Sequence, residues 1–362
     1  MQQVRRPPGL KDVAQLAGVS HQTVSRVLNE LPGVRIETRE RVIAAMRELD
    51  YQPNSAARTL VTNRSQTLGL VAFDTTLIGP SFMVYAIERA AREAGYFVSI
   101  ASAKELDVPS VNEAIRRLRE QSVEGIVTLA PVPAALTALA QVPAGMPLVG
   151  VGLGSADDVP MVAVDNVAGA ALATRHLVDL GHATVHHVSG PDGWPEAQER
   201  IAGWRQTLDD YGRAVPTPLA GDWSARSGYD AGRHLARDPR ATAVFCGNDQ
   251  MAVGVLRALH EVGRAVPDEV SVVGFDDIPE AAYLQPPLTT VRQDFAELGR
   301  RSLQMLVTQI TTGQRGERQT RFTPPLVVRD STAAPSGHRQ SRDGNPLRTL
   351  TSMNLSVNRE ER

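Results

Sequence analysis

Residues 10–30 read LKDVAQLAGVSHQTVSRVLNE. The first eight, Leu10–Ala17, form a compact amphipathic pattern that Gly18 stops in the way glycine ends helices. Val19 and Ser20 make the turn, and Ser20 is a good N-cap for a second helix over His21–Asn29. With His21 at 0° and steps of about 100°, Ser25, Asn29, Gln22 and Arg26 fall at roughly 40° to 140°. Val24, Val27 and Leu28 fall at roughly 240° to 340°. One side packs and the other presents hydrogen-bonding groups. Arg can pair with guanine O6 and N7, and Gln with adenine N6 and N7, so the polar side suits base edges in a major groove. The plainer reading is a solvated face. A third helical pattern, about Glu37 to Leu49 with Val42, Ala45, Met46 and Leu49 at helical spacing, completes a three-helix group and favours DNA.

Working outward, Tyr51-Gln52-Pro53 breaks the third helix, and Asn54 can cap a short one through Leu60. A helix this short is marginal in water unless something packs on it. Its apolar side is Ala56, Ala57 and Leu60. Two copies could approach closely there, with Leu60 wedged into a minor groove; the segment could equally be a plain linker. From Leu68 onward apolar strands alternate with helices: Leu68–Phe73, Tyr96–Ile100, Gly125–Leu129, Leu148–Val151, Val185–Val188, Ala243–Phe245 and Val270–Phe275. The helical runs stop at Gly95, Gly181, Gly212 and Gly263. Such alternation predicts parallel sheets flanked by helices, with ligands beyond the carboxyl ends of the strands.

The chain has 362 residues, enough for more than one domain. Residues 1–65 hold ten Lys/Arg against six Asp/Glu, and the remainder 28 against 34, so a basic leading segment precedes an acidic body. The lone Cys246 excludes an intramolecular disulfide and a cysteine-based metal cluster. The opening MQQVRRPPGLKDV lacks an apolar leader, and no run approaches the ~18 residues of a membrane span, so a cytoplasmic protein is expected. Gly150–Gly154 resembles a phosphate loop but runs into SADDVP rather than a helix. His186 and His187 point to opposite faces of a strand, so no metal site is expected with His182. Ser189 and Ser227 lack a nucleophile elbow. No catalytic constellation and no cofactor are expected.

The 10–30 segment, TRERVIAAMRELDYQPN (38–54) and AARTL (56–60) resemble the LacI family of transcriptional regulators. The resemblance continues through RIAGWRQTL, GDWSARSGY, GNDQMAVG, DEVSVVGFDD and PPLTTVRQDFAELG to about Asp330. It implies a small all-α helix-turn-helix headpiece at 1–52 and a hinge helix and linker at 53–65. A two-lobed periplasmic-binding-protein-like α/β core would follow at 66–330, and a disordered tail at 331–362. The first lobe would hold about 66–163 and 292–322, the second about 164–288 and 323–330. Base-reading and nearby positions fall on Ser20, His21, Gln22, Thr23, Ser25, Arg26 and Asn29, with Ala57 and Leu60 in the hinge. His21 stands where the galactoside-responsive branch has Tyr, and Gly9 and Arg35 stand where hydroxyl caps are expected.

Effector-contacting positions fall on Arg200, Trp223, Asn248, Asp276, Gln293 and Phe295, with Leu77, Gly79, Pro80 and Met83 as an apolar wall. By position at strand ends, Asp249 beside Asn248 and Asp277 beside Asp276 are cleft candidates as well. Taken without the family, Asp276 or Asp277 could cap a helix or close a turn, and Arg200 could be a surface ion-pair partner. Trp223 with Phe295 leans towards a galactoside, whereas Gly152 and Leu129 replace an Asp and an Asn of that branch. The implied function is a homodimeric repressor that reads pseudopalindromic double-stranded operator DNA under control of a small sugar. The alternatives are a corepressor-dependent regulator or a cytoplasmic sugar-binding protein. LRTLTSMNLS near the end makes no sustained heptad seam, so a dimer rather than a tetramer is expected.

Overall fold

A computed structural model describes residues 8–28, 31–51, 64–73, 75–105, 107–129, 137–139, 142–143, 145–152, 159–315 and 317–336. The chain divides into two compact units between Thr67 and Leu68.

The first unit contains helices α1 (Leu10–Ala17), α2 (His21–Leu28) and α3 (Ile36–Glu48). Val13, Ala14, Ala17, Val24, Val27, Val42 and Ala45 form its small buried core. Gly18 takes φ 64°, and the Val19 N–H reaches back to the Ala14 carbonyl, which ends α1 with its last carbonyls satisfied. Ser20 caps α2, its hydroxyl accepting from the Thr23 N–H at 3.1 Å. At Gly9, which has no hydroxyl, Asp12 reaches back and accepts the Gly9 N–H at 2.6 Å. Arg35 makes no side-chain cap for α3. Ala57, Leu60 and Asn29 lie outside the described residues.

The second unit is built on two sheets of six strands each in the described residues. Sheet one contains β1 (Thr67–Ala72), β2 (Phe97–Ser102), β3 (Ile126–Leu129), β4 (Leu148–Val151), β5 (Met161–Val164) and β11 (Gln319–Phe322). Sheet two contains β6 (His186–Ser189), β7 (Leu219–Ala220), β8 (Ala243–Cys246), β9 (Ser271–Asp276), β10 (Thr289–Arg292) and β12 (Leu326–Val327). Their orders are β11-β5-β4-β3-β1-β2 and β12-β10-β9-β8-β6-β7, the same winding twice. The central strands β3, β4, β5, β8 and β9 are buried along their whole length, as parallel strands covered on both faces must be. Only β12 among the described pairings runs antiparallel, against β10.

Helices α4 (Ile78–Glu93), α5 (Val108–Glu120) and α10 (Phe295–Thr312) belong with sheet one. Helices α6 (Asn166–Asp179), α7 (Pro195–Asp210), α8 (Ala225–Leu235) and α9 (Asp249–Glu261) belong with sheet two. The chain passes between lobes after β5, between β10 and α10, and between β11 and β12. Gly95, Gly181, Gly212 and Gly263, the helix stops expected from sequence, all have positive φ. No helix among the described residues is long and apolar enough to cross a membrane.

The expectation of a disordered tail from 331 is corrected for its first residues. Ser331 is fully buried; its hydroxyl donates to the Val272 carbonyl at 2.6 Å and accepts the Thr289 N–H at 2.8 Å. Ala333 exchanges hydrogen bonds with Ser271 at 3.0 Å. Ser331 bonds through its side chain and Ala333 through its backbone, and neither residue carries the apolar signal that would distinguish it from a tail.

Candidate functional site

In the first unit, Val24 and Val27 bury one side of α2, while Ser20, His21, Gln22 and Arg26 are exposed and Thr23 and Ser25 half-buried. The polar face inferred from spacing is therefore presented as a surface. Arg26 is not loose on it: its Nη2 donates to the Pro32 carbonyl at 2.6 Å.

In the second unit, a cavity of about 410 Å³ lies at the carboxyl ends of both sheets, within the roughly 300–1,000 Å³ usual for small-molecule sites. Leu77, Gly79, Pro80, Met83, Arg200, Trp223, Asn248, Asp276, Gln293 and Phe295 all line it. The wall from sheet one comes from the start of α4, the ends of β3–β5 and the start of α10; the other wall comes from the loops after β6–β9.

Arg200 anchors the second wall. It is 4% exposed, donates through Nε to the Asn166 side-chain oxygen at 2.8 Å and through Nη1 to the Gly247 carbonyl, and faces Asp276 at 3.9 Å. Its guanidinium lies 3.7 Å from the Phe275 ring centroid and 5.4 Å from that of Trp223. Burial opposes its charge, and Asp276 and Glu196 favour it. Burial pushes the Asp276 carboxyl up to about 6, held back by Arg200 and by Gln293, whose Nε2 donates to it at 2.5 Å.

Two backbone positions here are strained. Trp223 has φ 70° and Asp276 φ 114°. Such conformations cost about 1–3 kcal/mol each and persist where neighbours over-determine them. Asn248 does this for Trp223, donating to its carbonyl at 3.0 Å while its own oxygen caps α9 at Met251. For Asp276 the Gln293 N–H fills the role, donating to its carbonyl at 3.2 Å. Gly190 is required beside the indole, since a Cβ there would come within 2.1 Å of the Trp223 ring. Trp194 meets Trp223 edge-on at 5.9 Å, and Phe295 stacks on Phe82 at 5.6 Å. The Trp223 Nε1 and Gln250 Nε2 donors are buried without a protein partner.

The neighbouring carboxylates Asp249 and Asp277, cleft candidates by position, do not line the cavity. Asp249 accepts from the Ile278 N–H at 2.9 Å and the Thr290 hydroxyl at 2.6 Å. Asp277 pairs with Arg292 at 2.6 Å and Arg329 at 2.7 Å. His182 is spent on Thr242, Ser271 and the Ala333 carbonyl, and no metal-holding group occurs among the described residues. Sequence reading missed Asn166, Trp194, Glu196 and Gln250. Asn166, directly after β5 at a crossover, was the one with a positional signal.

Residues 9–54 match the profile of bacterial regulatory proteins, lacI family, and residues 174–332 that of a periplasmic binding protein-like domain. The lactose operon repressor of Escherichia coli (strain K12) is 36% identical over 342 residues, which cover 91% of this chain and 92% of that protein. This chain belongs to the lacI family. The ribose operon repressor of the same organism is 34% identical over 334 residues, 89% of this chain and 99% of that protein. The crystal structure of the lac repressor dimer bound to operator and the anti-inducer ONPF matches with a TM-score of 0.83 at 34% identity, covering 91% of this chain and all of that one. As a lacI-family member the chain is a DNA-binding transcriptional regulator, not an enzyme, with a helix-turn-helix headpiece and a two-lobed α/β effector core.

Proposed function

We propose that this regulator represses transcription in the cytoplasm by binding a pseudopalindromic operator as a homodimer, and that a small sugar in the interlobe cavity lowers its operator affinity. The observation that carries this reading is the convergence of both lobes and the β10–α10 crossover on one cavity. Because Gln293 and Phe295 flank that crossover, an occupant touching them and Arg200 contacts the elements that any lobe movement must carry. A ligand shifts DNA binding only by its differential affinity for two arrangements.

In this reading His21, Gln22 and Arg26 meet base edges, with Ser20, Thr23, Ser25 and Asn29 beside them. Ala57 and Leu60 belong to a hinge at 53–65, between a headpiece at 1–52 and a core at 66–330. Arg200, Asn248, Asp276 and Gln293 supply the donors and acceptors that hydroxyls require. Trp223 supplies an aromatic surface for the C–H face of a ring. Tyr85 on α4 and Phe97 and Ile100 on the edge strand β2 are exposed apolar side chains of the first lobe, available to a second copy.

The test is operator-fragment binding at fixed salt, with and without galactosides, other glycosides and purines. Release by a sugar is the expected result. Tightening by a purine or sugar would make the ligand a corepressor, and absence of specific DNA binding would remove the reading.

A further inference from the structure

The turn that follows α2 is fastened to the headpiece at both ends. The Leu31 N–H donates to the Arg26 carbonyl at 2.9 Å, and Arg26 Nη2 donates to the Pro32 carbonyl at 2.6 Å. One residue of α2 therefore grips the turn through its backbone and its side chain together. Beyond the turn, Val34 packs against the headpiece core. Leu31, Pro32 and Gly33 are themselves exposed, so the Pro32 carbonyl is held in place by these anchors rather than by burial.

Both turn residues suit this task. Proline fixes its own φ, which restricts where its carbonyl can stand. Gly33 takes φ 93°, a conformation that glycine adopts without the steric cost a side chain would bring. It also leaves the space that the guanidinium fills: a Cβ there would stand 3.1 Å from Arg26 Nη2 and 3.9 Å from its Cζ. Arg26 is a long, exposed side chain, and a free arginine samples many rotamers. Anchored on Pro32, it has lost much of that freedom before DNA arrives, and preorganisation of this kind raises affinity by lowering the cost of ordering. The anchor spends one of the guanidinium N–H groups. The others can still pair with guanine O6 and N7.

Building on the reading above that Arg26 meets a base edge, we infer that Pro32 and Gly33 are positioning residues for it. They set the guanidinium for a guanine in the DNA-free protein, and they govern sequence preference through Arg26. A side chain at 33 pushes the guanidinium off its anchor, and a flexible residue at 32 lets the anchor wander.

The test is selection from randomised synthetic duplexes by the full chain at fixed salt, with the bound DNA sequenced. The proteins are native, Arg26→Ala, Pro32→Gly, Gly33→Ala and each turn variant combined with Arg26→Ala, and a thermal melt confirms that each headpiece is folded. Arg26→Ala should abolish the selection of guanine at one position of the bound sequence. Each turn variant should weaken that same selection by about threefold or more, the scale of ordering one long side chain, and leave the other positions at native strength. In the absence of Arg26 neither turn variant should change base selection. Pro32→Gly adds no atom, so it carries the test should Gly33→Ala fail to fold. Native guanine selection in either folded turn variant, or a loss spread over every position with or without Arg26, would overturn the inference while leaving the base-reading role of Arg26 intact. Sharper guanine selection in the turn variants would overturn it as well, since Pro32 would then hold Arg26 away from the DNA. Unchanged base preferences in Arg26→Ala would overturn the base-reading role and the inference together.

Discussion

Arg200 is fixed by Asn166, Gly247 and two aromatic faces, so its charge cannot swing out to water. Arg200→Ala leaves Asp276 buried without its cation, which should cost about 3 kcal/mol of stability and abolish the ligand response while operator binding persists. Denaturant melts and operator binding with and without sugar check both parts. His187 offers a pH prediction. It is fully buried between Trp204 and Phe245, its Nδ1 donating to the Phe245 carbonyl at 2.9 Å, and burial pushes its pKa down to about 4. The unfolded chain therefore binds this proton first. The stability His187 contributes is present above about 6.5 and is lost as pH falls toward 4. His187→Asn, which keeps a donor but does not titrate, should lower Tm at pH 7.5 and narrow the gap to native by pH 5. A gap that stays constant with pH would refute this.

Among the elements, α2 depends on its cap. Ser20→Ala removes the acceptor for the Thr23 N–H and should cost the headpiece about 1 kcal/mol, visible as a lower melting point and weaker operator binding with unchanged ligand affinity. The elements legible from sequence were those carrying an apolar run or period: α1, α2, α3 and the strands β1, β2, β3, β4, β6, β8 and β9. The strand β11 was not, because Gln319-Thr320-Arg321-Phe322 at a sheet edge carries almost no hydrophobic signal. Strands β7 and β12 have two residues each, too few to show alternation. In the cavity, polar residues just after strands were legible as candidates, but spacing could not separate Asp276, which faces the cavity, from Asp277 and Asp249, which hold strands and loops together. That choice depends on where Arg329, Ile278 and Thr290 sit, each far along the chain from its partner.

For the whole molecule, the lobes are tied at positions remote in sequence. Arg321 on β11 pairs with Glu199 on α7 at 3.1 Å, one residue from Arg200. Arg321→Ala should shift the sugar concentration for half-maximal operator release without changing headpiece stability; an unchanged midpoint would show that the pair does not bias the lobes. Truncation after Asp330 removes the hydrogen bonds that Ser331 and Ala333 make with Ser271, Val272, Thr289 and His182. It should lower unfolding free energy by several kcal/mol, at roughly 1 kcal/mol per bond, measurable by urea denaturation.

The repeated crossing also bears on how the protein is made. The segment 68–164 emerges from the ribosome long before α10, whose Leu306 packs against Gly125 and whose Gly299 lies on Ala86. Sheet two likewise waits for β12. At translation rates of about 5–20 residues per second, the hydrocarbon that α10 covers stays open for roughly ten seconds. The lobes therefore mature together at the end of synthesis, and a nascent chain stalled before Phe295 is a client for chaperones rather than half of a finished regulator.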